Sequence, residues 1–141
     1  MHNEGKNSDK IRLSFETISH ALKNFPFPVI DVVVAIARGG VIPGSMVAHQ
    51  LNCDLRIVQI SYRDENNERM YDEPKVTGLK NGQTGPTGRI LLVDDVSVTG
   101  SSFHAARNLF LYNKVTTFVL KGNADLVLFP EIRKCVIWPW N

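Results

Sequence analysis

The chain has 141 residues, of which 43% are apolar, and 16 Lys and Arg oppose 14 Asp and Glu for a formal net charge of +2. This balance is typical of one globular domain and excludes a chain that is disordered throughout. The small charge and the lack of basic clusters argue against nucleic acid or an anionic membrane surface as a partner.

The cysteines and the N-terminal segment indicate the compartment. Cys53 and Cys135 are far apart, with no His or Cys at metal-ligand spacing, which argues against a disulfide framework or a zinc site. Residues 1–10 lack periodicity and predict a disordered segment too polar for an export signal, and no apolar run reaches the roughly 18 residues of a membrane span. We therefore expect a cytoplasmic protein with a single domain over residues 1–141.

The first half of the chain predicts helix, strand, helix, strand. Apolar residues at helical spacing, with Ser14 as the cap, predict a helix that ends near Asn24. A continuous apolar run over 29–36 predicts a buried central strand. A glycine-rich turn, a helix over 43–51 and a strand over 55–61 follow.

The second half opens with a segment over 62–88 that is rich in charged residues, Asn, Gly and Pro and predicts a long functional or disordered loop. A strand over 89–93, a helix over 102–112, a strand over 115–120 and a last strand over 135–138 follow. Strands that alternate with helices predict an α/β fold, a doubly wound and mostly parallel sheet flanked by helices.

The strongest candidate site follows the strand over 89–93, because ligands of such sheets bind beyond the carboxyl ends of the strands. Asp94 and Asp95 come first, and residues 99–102 then offer hydroxyls and backbone N–H groups at a helix start. Two adjacent carboxylates need hydroxyls, backbone donors or a divalent cation to offset burial and repulsion. Each half alone is typical of a solvated turn or a helix cap, whereas the two together indicate a ribose phosphate site.

Residues 90–102 resemble the signature with which type I phosphoribosyltransferases bind phosphoribosyl pyrophosphate (PRPP): an apolar strand, Asp-Asp, Thr-Gly and a small hydroxyl residue. Residues 35–44, AIARGGVIPG, resemble the pyrophosphate loop of the bacterial xanthine-guanine group, and Pro139-Trp140 resembles its closing segment. The likeness covers most of the chain from Ile11 onward. It implies the family's fold, with a small C-terminal hood over the base, and a magnesium-dependent enzyme that transfers the 5-phosphoribosyl group to a nucleobase.

The resemblance also implies residue roles. Asp94 and Asp95 would hold the ribose hydroxyls, Asp95 would also face Mg²⁺, and Arg38 with the N–H groups of Gly39 and Gly40 would bind pyrophosphate. A cis or strained peptide is implied at Ala37-Arg38. Catalysis would rest on Asp94, Asp95 and Arg38 through positioning and charge stabilisation. The implied PRPP contacts are Arg38, Gly39, Gly40, Arg69, Asp94, Asp95, Val96, Ser97, Val98, Thr99, Gly100, Ser101 and Ser102.

The segment over 62–88 corresponds to the mobile flap that covers the reaction in this family and excludes water. Arg69 is the cation predicted to reach pyrophosphate, although its polar surroundings suit a solvated charge equally well. Arg63 and Lys75 are lesser candidates for the same role.

Two positions depart from the family pattern on the base side. Val98 stands where 6-oxopurine enzymes have an Asp, and it cannot act as a general acid or base. Cys135 stands where an aromatic ring stacks on the base, and Trp138 is the nearby ring that could replace it. Lys121 matches the Lys that contacts a 6-oxo group. The implied base contacts are therefore Lys121, Cys135, Val136 and Trp138.

Two hypotheses follow. The first is salvage of a purine, namely guanine, xanthine or hypoxanthine, with release of pyrophosphate. The second is a PRPP- or nucleotide-binding regulatory protein of the same fold without transferase activity, which is consistent with Val98 and Cys135. In either case the expected partners are small molecules and a second copy of the chain, in a dimer or tetramer.

Overall fold

The structure is a computed structural model that describes residues 10–61, 75–79 and 88–141. Three helices lie within these ranges: α1 (Phe15–Lys23), α2 (Val41–Leu51) and α3 (Ser101–Arg107). The strands of the same ranges are β1 (Lys10–Arg12), β2 (Val32–Ala37), β3 (Asp54–Ser61), β4 (Lys75–Leu79), β5 (Arg89–Ser97), β6 (Lys114–Gly122), β7 (Leu126–Val127) and β8 (Cys135–Ile137).

The central sheet has the strand order β4-β3-β2-β5-β6-β7. All neighbouring pairs are parallel except β3 and β4, which are antiparallel. The chain therefore winds from β2 through α2 to β3 in one direction, and from β5 through α3 to β6 in the other. The direction reverses between β2 and β5, where a doubly wound sheet has its ligand crevice. The predicted α/β fold is confirmed.

Helices cover both faces of the sheet because consecutive strand residues point to opposite sides. Leu91 packs with Val47 of α2 in one apolar cluster, which also contains α1. Its neighbour Leu92 packs with Phe103 of α3 in a second cluster. This two-sided burial explains why β2 and the first half of β5 read as continuous apolar runs.

A small second sheet forms the hood. β1 pairs in parallel with β8, so Lys10 lies beside Cys135 and Ile11 beside Val136. Beyond β8 the rings of Trp138 and Trp140 stack with centroids 5.5 Å apart. Trp138 belongs to the same apolar cluster as α1 and α2, so the hood and the main sheet share a core.

Two N-terminal predictions need correction. Lys10 ends the segment predicted to be disordered, but it is the first residue of β1. The local pattern does not predict this strand, because its partner β8 is distant in the chain. Residues 1–9 lie outside the described part of the chain. The helix predicted over 43–51 begins at Val41, directly after its N-cap Gly40.

The segment predicted as one loop over 62–88 contains β4 in its middle. β4 pairs with the edge of β3, and the register shifts between Gln59 and Ile60. Edge strands are short and only partly apolar, so the local sequence carried too weak a signal. Residues 62–74 and 80–87 of the predicted flap lie outside the described residues.

The helix predicted over 102–112 ends at Arg107. Phe110 is buried, but 72% of Leu111 and the whole of Tyr112 are exposed, so these apolar residues do not extend a core-facing stripe. β2 likewise begins at Val32, later than predicted, because Val29 faces solvent. The two-residue strand β7 has no signal in the local sequence pattern.

β5 extends four residues beyond the predicted end at Val93. Asp94 and Asp95 are therefore strand residues, held by the pairing of β5 with β6. No helix in the described part of the chain is both long and apolar enough to cross a membrane.

Candidate active site

The acidic pair lies at the carboxyl end of β5, where backbone amides hold both side chains. Asp94 accepts a hydrogen bond through Oδ1 from the N–H of Asp95 at 2.8 Å. Asp95 accepts one through Oδ1 from the N–H of Val96 at 2.7 Å. Both side chains are half-buried, so each carboxylate has a fixed direction but keeps access to the crevice.

The electrostatics of this pair are unfavourable without a ligand. Burial raises the pKa of Asp94 to about 8, and repulsion by the Asp95 carboxylate adds to the increase. Among the described residues, no Lys, Arg or His forms an ion pair with either carboxylate. The pair therefore has unused capacity to bind hydroxyl donors or a cation.

The loop after β2 packs against this pair. β2 and β5 are parallel neighbours, with Ala35 beside Val93, so their carboxyl ends meet. A Cβ atom on Gly39 would lie only 2.6 Å from Cγ of Asp95, so glycine is the residue that permits this contact. The glycine loop and the acidic pair consequently form one site.

The backbone of this loop is tightly folded. The peptide bond Ala37-Arg38 is cis, as the family resemblance implied. The N–H of Gly40 donates to the carbonyl oxygen of Ile36 at 2.7 Å, and Val41 donates to Arg38 at 3.0 Å. Arg38 thus lies between the end of β2 and the start of α2, directly before the glycine that approaches Asp95.

The loop between β5 and α3 brings the predicted phosphate-binding groups together. Thr99 Oγ1 and Ser101 Oγ are 2.8 Å apart, and the N–H of Ser101 donates to Thr99 Oγ1 at 3.3 Å. Gly100 has φ +81°, and nothing would lie within 4 Å of a Cβ atom there. This loop therefore gathers the Thr99 and Ser101 hydroxyls next to open space at Gly100, with Ser102 in the first turn of α3.

The base-side residues lie on two elements. Lys121 is near the end of β6 and pairs with Val96, one residue from the acidic pair. Val98 leads into the loop between β5 and α3, and 74% of its surface is exposed. Cys135 and Val136 lie in β8, and the Cys135 side chain is exposed.

The Trp138 ring is buried and does not offer an open face for stacking. Only 3% of its surface is exposed, and the Trp140 ring lies parallel to it at an interplanar angle of 3°. Phe15 of α1 contacts Trp140 in turn, with centroids 6.0 Å apart. In this structure the buried Trp138 ring packs within the hood. The contact between Trp138 and a base that the resemblance implies stays a prediction.

The contact of flap residues with pyrophosphate stays a prediction. Arg69 and Arg63 lie outside the described residues, and Lys75 is the first residue of β4. Within the described ranges, no cluster of three or more His, Cys, Asp or Glu has the geometry of a metal site.

Sequence reasoning missed the turn between β6 and β7, which contacts the start of the loop between β5 and α3. Asn123 donates from its side-chain Nδ2 to the carbonyl oxygen of Val98 at 3.0 Å. A strand that ends in Gly-Asn is a turn signal, and this pair could have directed attention to the position.

Comparison with known proteins agrees with this geometry. A family model described as the phosphoribosyl transferase domain matches residues 11–117. A purine phosphoribosyltransferase from Pyrococcus horikoshii Ot3 is similar at a TM-score of 0.70 and 22% identity, covering 94% of both chains. A Helicobacter pylori xanthine-guanine-hypoxanthine phosphoribosyltransferase reaches a TM-score of 0.73 at 16% identity, covering 93% of both chains.

A third solved structure carries a different description. It is a hypothetical protein from Neisseria gonorrhoeae with bound ppGpp, with a TM-score of 0.67 and 22% identity, covering 94% of this chain and 89% of that one. At these identities the structures establish the fold, while the family model covers most of the chain. The chain therefore belongs to the phosphoribosyltransferase family, with the type I fold.

Proposed function

We propose that the chain transfers the 5-phosphoribosyl group from PRPP to a nucleobase, most simply a 6-oxopurine, and releases pyrophosphate. The contact between Gly39 and Asp95 carries the proposal, because it brings the loop that we assign to pyrophosphate and the acidic pair that we assign to ribose into one crevice. The phosphate loop over 99–102 supplies the third part of a PRPP site.

In this proposal each loop holds one part of PRPP. Hydroxyls and N–H groups of Thr99, Gly100, Ser101 and Ser102 bind the 5-phosphate, because hydroxyls and backbone amides are good donors to phosphate oxygens. Asp94 and Asp95 accept hydrogen bonds from the ribose hydroxyls. The Arg38 guanidinium binds the pyrophosphate, which leaves as a new bond forms between the sugar and a base nitrogen.

These residues would accelerate the reaction by orientation and by charge stabilisation. The bond to pyrophosphate breaks as positive charge develops on the sugar, so carboxylates near the ribose stabilise the sugar while Arg38 stabilises the departing oxygens. Val98 cannot accept the proton that the base nitrogen loses. Water or the leaving pyrophosphate takes that proton in our proposal.

The acidic pair fits Mg²⁺. The pair offers oxygen ligands and has no partner cation among the described residues. Burial and repulsion by Asp95 raise the pKa of Asp94, and a bound cation would relieve this repulsion. Mg²⁺ prefers such oxygen ligands together with water and substrate phosphate oxygens. Asp95 would hold the ion, which would neutralise charge on the pyrophosphate, and Asp94 would orient the ribose.

The base is proposed from fewer contacts. Lys121 lies beside the end of β5 and could donate to a 6-oxo group, while the Val136 backbone in β8 offers groups for the edge of the base. An exposed apolar Val98 and an exposed Cys135 give this side little other polarity. We therefore propose guanine, xanthine or hypoxanthine as acceptors, and a cytoplasmic salvage role.

The experiment for this proposal is a panel of bases. The chain is incubated with PRPP and Mg²⁺ and with adenine, guanine, hypoxanthine, xanthine, uracil or orotate, and pyrophosphate release is followed. We expect release with a 6-oxopurine. Release with a different base alone would keep the transferase proposal and overturn the choice of acceptor.

The alternative is a regulatory protein that binds PRPP or a nucleotide and catalyses no transfer. The similar Neisseria gonorrhoeae structure with bound ppGpp favours it, together with Val98 and Cys135 at the two positions that depart from the family pattern. PRPP binding without turnover on any base would favour this alternative.

A further inference from the structure

The turn between β6 and β7 binds two consecutive carbonyl groups at the point where β5 becomes the phosphate loop. The backbone N–H of Asn123 donates to the carbonyl oxygen of Ser97 at 2.7 Å. The side-chain Nδ2 of Asn123 donates to the carbonyl oxygen of Val98 at 3.0 Å. One residue therefore determines how the chain leaves the strand.

Gly122 allows this approach. Gly122 pairs with Ser97 across the two strands and has φ +114°. A Cβ atom on Gly122 would overlap the carbonyl oxygen of Ser97 and lie 2.9 Å from its carbonyl carbon. A larger residue would push the turn away from the loop and break the hydrogen bonds of Asn123.

The other side of the turn is attached to the far end of α3. Asp125 Oδ2 accepts from the backbone N–H of Thr117 at 3.0 Å and from Arg107 Nη2 at 3.1 Å. The N–H of Asp125 donates to Thr117 Oγ1 at 2.9 Å. Because Arg107 is the last residue of α3, the turn contacts both ends of the unit formed by the phosphate loop and this helix.

The phosphate loop has little packing of its own. Val98 is 74% exposed, and no atom would lie within 4 Å of a Cβ atom on Gly100. A segment with so few apolar contacts is held mainly by its hydrogen bonds. Those from Asn123 reach the loop from a different element.

We propose that Asn123 is a positioning residue for PRPP: through the carbonyl groups of Ser97 and Val98 it orients the donors of residues 99–102 toward the 5-phosphate. This inference rests on the proposed function. In this role Asn123 acts on PRPP through the backbone of the loop and not by direct contact. Because misplacement of a binding group by a fraction of an ångström weakens binding, loss of the side-chain hydrogen bond should appear as a loss of PRPP affinity.

Two variants test the inference. Asn123→Ala removes the side-chain amide, and Asn123→Asp keeps its shape but replaces the donor with an acceptor that faces the Val98 carbonyl. The matched control is Asn113→Ala, which removes a side-chain amide that donates to the carbonyl oxygen of Gly88, also at 3.0 Å, at the opposite rim of the sheet. Calorimetry with Mg²⁺ gives the Kd of PRPP and of pyrophosphate, and thermal unfolding reports stability.

We expect Asn123→Ala to raise the Kd of PRPP roughly fivefold to tenfold, the effect of one lost hydrogen bond. Asn123→Asp should raise it further, while Asn113→Ala leaves it unchanged. The Kd of pyrophosphate, whose loop lies after β2, should stay the same in all three. Should Asn123→Ala fail to fold, Asn123→Asp decides the matter because it preserves the shape of the side chain.

Unchanged PRPP affinity in the Asn123 variants, an equal loss in Asn113→Ala, or a parallel loss of pyrophosphate affinity would each overturn the inference and leave the proposed function standing. Failure of the unmodified chain to bind PRPP would overturn the proposed function first, and the inference with it.

Discussion

At the residue scale, the adjacent carboxyl groups of Asp94 and Asp95 make the stability of the fold depend on pH. Asp94 has a pKa of about 8 in the folded chain against an ordinary value of 3.8. The folded chain therefore binds more protons than the unfolded chain between these pH values, and the free energy of unfolding falls as the pH rises through them. The raised pKa of Asp94 therefore reduces stability at neutral pH, a cost that is common at functional sites.

Asp94→Asn tests this coupling. When a chelator keeps the site free of metal ions, the free energy of unfolding of the unmodified chain should decrease from pH 5 to pH 8. The decrease follows because the Asp94 carboxyl group loses its proton over this range. The variant should lose most of this dependence, be at least as stable at pH 8, and no longer bind PRPP. Urea unfolding at several pH values measures the first effect and calorimetry the second. An equally steep pH dependence in the variant would contradict the assignment to Asp94.

Gly40→Ala should be one of the most damaging small substitutions in the chain. Gly40 has an ordinary φ of −84°, so backbone strain is not the problem. The added Cβ atom would overlap the carbonyl oxygen of Val93 and lie 2.6 Å from that of Ile36. These backbone atoms belong to β5 and β2 and cannot easily move. We therefore expect the free energy of unfolding to fall by about 3 kcal/mol, as for severe overpacking.

The matched control for Gly40→Ala is Gly100→Ala. No atom would lie within 4 Å of the new Cβ atom, but φ is +81°, so only the left-handed conformation opposes the change. We expect Gly100→Ala to lower the free energy of unfolding by about 1 kcal/mol. Urea unfolding of both variants measures the difference, and a smaller loss for Gly40→Ala than for Gly100→Ala would show that the loop moves away easily.

At the scale of elements, helix α1 is one of the elements that contact the hood. Ser14 caps this helix, as its sequence predicted, and its Oγ accepts a hydrogen bond from the N–H of Thr17 at 3.0 Å. The next residue, Phe15, contacts Trp140 at the end of the chain. The cap therefore fixes the first turn of a helix that also supports the hood.

Ser14→Ala should lower the free energy of unfolding by about 1 kcal/mol, because it leaves the N–H of Thr17 without its partner. Ser14→Asp should restore most of the loss, since Asp is also a good cap. Urea unfolding gives both values. A loss of the same size in Ser14→Asp would mean that Ser14 acts through something other than the cap.

For the molecule as a whole, one apolar cluster joins the hood, α1, α2 and one face of the sheet. Phe118 of β6 is fully buried in it and contacts Phe25 and Phe27 at centroid distances of 5.3 and 5.0 Å. Trp138 of the hood belongs to the same cluster. Shared burial predicts that hood and sheet unfold together.

Phe118→Ala should reduce the free energy of unfolding by about 3 to 5 kcal/mol, as for other buried aromatic residues. Both tryptophans of the chain lie in or beside the hood, so tryptophan fluorescence reports on the hood and far-UV circular dichroism on the whole fold. The two signals should change at the same urea concentration in the unmodified chain. Separate transitions would show that the hood unfolds independently.

The sequence by itself determined the features that are local in the chain. Asp94, Asp95 and residues 99–102 lie within one short segment, so their order alone predicted a strand, two carboxylates near its end and a polar loop before a helix, and the described strand and helix agree. Apolar periodicity predicted the alternation of strands and helices for the same reason. Turn and cap signals such as Ser14 are equally local.

Only the tertiary structure decided which distant segments meet. The strand order places β2 beside β5, which brings Gly39 against Asp95, and it places the Asn123 turn on Val98. It also buries Trp138 under Trp140 and pairs Lys10 with Cys135. Pairing between strands depends on side chains far apart in the chain, so a local pattern cannot specify it, and packing of the whole core selects the arrangement.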